Sequence, residues 1–111
     1  MNKLLIVWSS GELEVARKMV LLYGSVILPR GYWDEAHIMI WGPSVKLLAE
    51  NEALCETVKK VQESGVTLSC CIVCSDDYGV TEKLASLGIE MTHTGERLTD
   101  ALQSDWKVIT F

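Results

Sequence analysis

Short, nearly continuous apolar runs recur along the chain, separated by longer stretches whose apolar residues fall at every third or fourth position. That alternation admits few folds. A run apolar on both faces must be buried on both, and helices of one-sided apolarity supply the cover. Lys3 to Trp8 reads as a first strand, and Ser9-Ser10-Gly11-Glu12 then offers a capping serine and an early glutamate for a helix through about Val26. Leu13, Ala16, Val20 and Tyr23 give that helix its apolar face. Pro29-Arg30-Gly31 interrupts the pattern, Ala36 to Trp41 is a second strand, and Gly42-Pro43-Ser44 opens further helix. Val45, Leu47, Leu48, Leu54, Val58 and Val61 belong to one long helix or two short ones, ending at Ser64-Gly65. Val66 to Cys70 is the third strand. Val80, Leu84 and Leu87 form the next helical face, stopped by Gly88, before a short fourth strand from Ile89 to Met91. Leu98 to Leu102 predicts a last short helix and Trp106 to Phe111 a fifth strand.

Strands joined by helical crossovers form right-handed βαβ units. The expected fold class is therefore α/β, a three-layer α/β/α sandwich around a five-stranded, mainly parallel sheet. At 111 residues the chain is expected to form one domain, 1–111, with no room for a separate substrate domain. In such sheets ligands collect at the carboxyl ends of the strands. Ser9-Ser10, Gly42-Pro43-Ser44 and the segment Cys71 to Cys74 are thus expected to share one edge.

Three of the four cysteines sit in that last segment, Ser69-Cys70-Cys71-Ile72-Val73-Cys74, where a strand hands over to a helix. A thiol at a helix start meets unpaired backbone N–H groups, which favour the nucleophilic thiolate. Cys71 is the candidate nucleophile, and Cys74, about one turn later, is its candidate partner. Both being buried without function is the competing reading. Cys70 should point to the opposite side of the strand, into packing. Cys55, near Glu52 and Glu56, has no activating group and reads as inert. Trp8 and Trp41, at strand ends on the same edge, either wall a pocket or pack beneath helices. With Ser9, Ser10, Asp76 and Tyr78 they complete the candidate binding set. Tyr32 and Trp33 beside Asp34-Glu35 read as subunit contacts or surface packing.

A thioredoxin-like site is disfavoured, since Ile72-Val73 separates the cysteines and both prolines lie upstream. A zinc site is disfavoured too, because structural sites commonly draw on two ligand pairs and here there is one. His37, within a strand, reads as a satisfied buried imidazole and His93 as exposed. No metal and no cofactor is expected. Ten basic against fifteen acidic residues give a net charge of −5, which argues against nucleic acid and anionic membranes as partners. No apolar stretch approaches the roughly 20 residues of a membrane span. The N-terminal apolar run is too short for a secretory signal, and crowded cysteines in a chain with its own core do not suggest an extracellular disulfide framework. The expected location is cytoplasmic.

Trp41-Gly42-Pro43-Ser44-Val45-Lys46-Leu47-Leu48, the Gly65-Val66 lead into Cys71-x-x-Cys74-x-Asp76-x-Tyr78-Gly79-Val80, and Gly95-Glu96-x-Leu98-Thr99 through Trp106-Lys107-Val108-Ile109-Thr110-Phe111 together resemble the DsrE/DsrF/DsrH (YchN-like) sulfur-relay family over essentially the whole chain. The likeness is to a DsrE-like subgroup with a Cys-x-x-Cys. It implies the same five-stranded fold, assembly as homotrimers or homohexamers, and a place in cytoplasmic sulfur metabolism. Cys71 falls on the position where relay members accept sulfane sulfur as a persulfide, and Cys74 on a second cysteine of the subgroup. The partners so implied are sulfur donor and acceptor proteins. Cys70 is extra, and Asp77-Tyr78 stand where relay subunits tend to carry basic residues. The function expected is a sulfur carrier, possessing sulfurtransferase activity if it turns over. The rivals are a non-catalytic oligomeric binding module and a Cys71-Cys74 dithiol redox protein.

Overall fold

The computed structural model describes residues 1–111. Five strands, β1 (Lys3–Trp8), β2 (Glu35–Ile40), β3 (Thr67–Cys71), β4 (Glu90–Thr92) and β5 (Lys107–Thr110), form one sheet in the order β4-β3-β2-β1-β5. Every neighbouring pair is parallel. The first helix, α1, runs from Leu13–Val15 through a π-helical stretch Ala16–Val20 into Leu21–Val26. Then follow α2 (Pro43–Ala49), α3 (Glu52–Glu63), α4 (Ile72–Tyr78), α5 (Thr81–Ala85) and α6 (Thr94–Leu102). This is the expected α/β/α sandwich, with its two outer layers unequal.

Strand alternation explains the inequality. Leu4, Ile6 and Trp8 of β1, Ala36, Ile38 and Ile40 of β2, and Leu68 and Cys70 of β3 share a large core with Ala16, Val20 and Leu21 of α1, Val45 and Leu48 of α2, and Leu54, Val58 and Val61 of α3. Each valine, leucine or isoleucine among them, fully buried, contributes roughly 1.5–3 kcal/mol before the entropy of ordering it is subtracted. On the other face Leu5, Val7 and Met39 meet Ala101, with Leu98, Trp106 and Val108 packed around them. Only α6 covers that side, and the β3 residues there are the polar Thr67 and Ser69 and then Cys71.

The helical region after β2 is two helices. Asn51 divides them: its backbone is extended, and its Oδ1 accepts from the Leu54 N–H at 3.0 Å, capping α3. Asn51→Ala is expected to cost about 1 kcal/mol, measured as a lower urea midpoint with an unchanged slope.

Several boundaries differ from the sequence reading. β2 ends at Ile40, because Gly42 at φ +72° turns the chain, and Trp41 lies beyond the strand. β3 and β4 are each shifted one residue onward, which makes Cys71 the last residue of β3. α6 begins at Thr94, a turn before Leu98, since its first residues Thr94-Gly95-Glu96-Arg97 carry no apolar periodicity to signal a helix.

Candidate functional site

The carboxyl ends of β1, β2, β3 and β5 are tied together by the loops that follow them. Ser9 and Ser10 both donate their backbone N–H to the Phe111 carbonyl, at 2.8 and 3.0 Å, and the Ser9 hydroxyl donates there too. The Trp8 carbonyl accepts from the Trp41 N–H at 3.0 Å and from the buried Ser44 hydroxyl, while the Ser44 N–H reaches Ser9 O at 3.1 Å. The two backbone donors of the Ser9-Ser10 turn and the Ser9 hydroxyl are therefore engaged in holding the edge together. Gly42 sits on that edge with its N–H facing the Cys74 sulfur, so two of the three loops meet at the cysteines.

Cys71 ends β3 and serves as the extended residue before α4, with φ −65° and ψ 115°. Its side chain is 6% exposed, and that of Cys74 is half-buried. Burial pushes the Cys71 thiol up, but four groups facing its sulfur outweigh this. They are the backbone N–H of Cys74, the Cys74 thiol, the Thr94 hydroxyl and the backbone N–H of Val73, and the net result holds Cys71 below the ordinary thiol value. Cys74 goes the other way. Burial raises it, and Cys71 and Asp77 raise it further against the Gly42 N–H. Cys70 is pushed up to about 12, chiefly by burial and then by its two cysteine neighbours. Cys55 is raised by burial and by Glu52, and its thiol donates to the Leu48 carbonyl at 3.3 Å. Of the four sulfurs, all free, Cys71 alone is shifted toward thiolate.

The remaining sequence candidates are dispersed. Trp8 is wholly buried in the large core, with its indole N–H unpartnered. Trp41 is exposed at the edge. Asp76 accepts a hydrogen bond from the Thr81 hydroxyl and so joins α4 to α5, and Tyr78 is exposed at the end of α4. His37 is 1% exposed between the Thr67 and Ser69 hydroxyls at 2.6 and 2.7 Å. His93 is exposed just before α6. No three His, Cys, Asp or Glu side chains gather closely enough to hold a metal ion.

Thr94 is the residue that the sequence reading missed. It lies outside the cysteine motif, and the only trace of it is a threonine-x-threonine run, Thr92-His93-Thr94, after the fourth apolar segment. Its hydroxyl is buried and makes no hydrogen bond of ordinary geometry with the neutral thiol, although it faces the sulfur closely enough to favour its charge. An unmet buried hydroxyl costs roughly 1–3 kcal/mol.

By fold and site this is a parallel α/β/α sandwich that sets a cysteine at the carboxyl edge of its sheet among hydrogen-bond donors. The chain belongs to the DsrE/DsrF-like family, whose model matches residues 13–111. Among solved structures it is similar to a conserved protein of unknown function, BT1422, from Bacteroides thetaiotaomicron: 29% identity, a TM-score of 0.95, and coverage of 99% of this chain and 95% of that one. The ychN protein from E. coli shares the fold at 18% identity, with a TM-score of 0.73 over 100% of both chains. Comparison with curated proteins gave no match. No helix is long and apolar enough to cross a membrane.

Proposed function

We propose that the protein is a sulfur carrier in which Cys71 accepts sulfane sulfur as a persulfide. The observation that carries this reading is the set of four donors around the one cysteine sulfur shifted toward thiolate. Membership of the DsrE/DsrF-like family supports it. The Cys71 thiolate attacks the outer sulfur of a donor persulfide. A bond forms between that sulfur and Cys71, the donor's S–S bond breaks, and the donor leaves as a thiolate with the electron pair. Sulfur changes owner without net oxidation. The same exchange toward an acceptor thiol unloads Cys71.

A second course rests on Cys74, whose thiol faces Cys71. Attack by the Cys74 thiolate on the Cys71 sulfur expels the outer sulfur as hydrosulfide and leaves a Cys71-Cys74 disulfide, which an external thiol must then reduce. The raised Cys74 thiol makes this the slower course at neutral pH. The reading places the protein in a reducing cytoplasm, as a trimer or hexamer with donor and acceptor proteins.

Incubation of the native protein with a low-molecular-weight persulfide, followed by peptide mass spectrometry, is expected to find one added sulfur atom on Cys71 and none on Cys55 or Cys70. A Cys71 that stays unmodified while remaining accessible to alkylation would sink the carrier reading in favour of a binding module.

A further inference from the structure

We propose that Thr94 is a positioning residue for anionic sulfur: its hydroxyl is held unpaired in the resting protein so that it can donate to the Cys71 sulfur once that sulfur carries charge. The bearing of this on sulfur loading rests on the carrier reading above, whereas the bearing on the thiolate itself does not.

The fold places the hydroxyl there. β4 pairs with β3 in parallel with Cys71 opposite Thr92, so the chain two residues further on, at Thr94, stands at the carboxyl edge beside the cysteine. Thr94 is 2% exposed, and its hydroxyl and that of Thr92 are both buried without a partner. The contrast with the rest of the molecule decides what this means. The buried hydroxyls of Ser44, Ser69 and Ser75 are all bonded, to the Trp8 carbonyl, to His37 and to the Ile72 carbonyl respectively. Thr99, in the same helix as Thr94, bonds back to the Gly95 carbonyl at 2.7 Å, as helical threonines commonly do. The only other unpartnered buried side-chain polar atom is the Trp8 indole nitrogen. Both of the chain's unpartnered buried hydroxyls thus stand where β4 meets Cys71.

A neutral thiol is a poor acceptor, and a charged sulfur a good one. A donor that gains its bond only in the charged state favours that state, without help from a cation. The titratable groups acting at the site are Cys74 on α4, Cys70 on β3 and Asp77, which acts on Cys74. No cation is among the groups that lower Cys71. The hold on the thiolate should therefore vary little with ionic strength, unlike one made by surface charges.

The test is the pH profile of Cys71 alkylation by iodoacetamide in the native protein and in Thr94→Val, Thr94→Ala and Thr94→Ser. Removing the hydroxyl is expected to move the midpoint up by about one pH unit, roughly tenfold less thiolate below both midpoints. Thr94→Ser should stay close to the native profile. Thr94→Ala against Thr94→Ser isolates the hydroxyl should the valine variant fail to fold. Coincident midpoints for the native, alanine and serine proteins would overturn the proposal, as would a serine variant shifted as far as alanine. The same proteins, treated with the low-molecular-weight persulfide, separate the two readings. A shifted midpoint in a protein that never takes up sulfur supports the role of Thr94 and refutes the carrier function.

Discussion

At neutral pH, iodoacetamide is expected to modify Cys71 far faster than any other cysteine, and Cys71→Ser to abolish that fast phase together with all persulfide uptake. The magnitude follows from the protonation states. Cys71 is lowered below the ordinary thiol value and Cys70 pushed up to about 12, so the thiolate fraction of Cys71 exceeds that of Cys70 by orders of magnitude. Lower basicity makes each thiolate a somewhat weaker nucleophile, which trims this advantage without reversing it. Cys70 is also inaccessible, with no exposed surface, on the face of β3 that packs into the core. Cys74 is the informative comparison, because it is more exposed than Cys71 and yet raised. If Cys74 were labelled before Cys71, exposure rather than the surrounding donors would govern reactivity, and the assignment of the nucleophile would fall.

Acid is expected to destabilise the protein through His37. The imidazole is buried, with its two nitrogens on the Thr67 and Ser69 hydroxyls, and it lines a cavity with Arg97, Asp100 and Ala101 of α6. Burial, and then the Arg97 guanidinium, lower its pKa from 6.5 to about 3. A group whose folded pKa is depressed stabilises the fold above the unfolded value, and that contribution is lost as pH falls from about 6.5 toward 3, because the unfolded chain binds the proton first. At pH 5 the loss amounts to about 2 kcal/mol, at pH values where few carboxylates have yet titrated. Urea unfolding at pH 7, 6 and 5 measures it. His37→Gln should flatten the dependence over that range. A native protein equally stable at pH 7 and pH 5 would mean that the imidazole becomes protonated in the folded state after all.

The periodicity that revealed the strands also limited what could be read. Leu4 to Trp8 is apolar throughout, and Ala36 to Ile40 and Leu68 to Cys70 are each interrupted by one buried polar residue, His37 and Ser69, so the existence of the strands was plain while their ends were uncertain by a residue. That one residue matters at Cys71, which is both the end of β3 and the start of α4. The opening of α6 was hidden for a different reason: of Thr94, Gly95, Glu96 and Arg97 only the polar Thr94 is buried, so the first turn carries no apolar stripe. Trp8 left two readings open, a pocket wall or packing beneath helices, and strand alternation selects the second by turning its side chain into the large core.

The sequence alone determined the order of elements, the parallel sheet, and a pair of cysteines at a strand end, because each of these follows from local pattern: apolar spacing, turn residues, and three cysteines within five positions. The tertiary structure decided what surrounds the Cys71 sulfur. Strand order sets β4 beside β3, bringing Thr94 to Cys71, and it brings Thr67 and Ser69 beneath His37 from a strand some thirty residues away. Neither arrangement leaves a periodic trace, since a hydrogen bond across a sheet depends on which strands become neighbours, and that is settled only when the helices pack their apolar faces onto it.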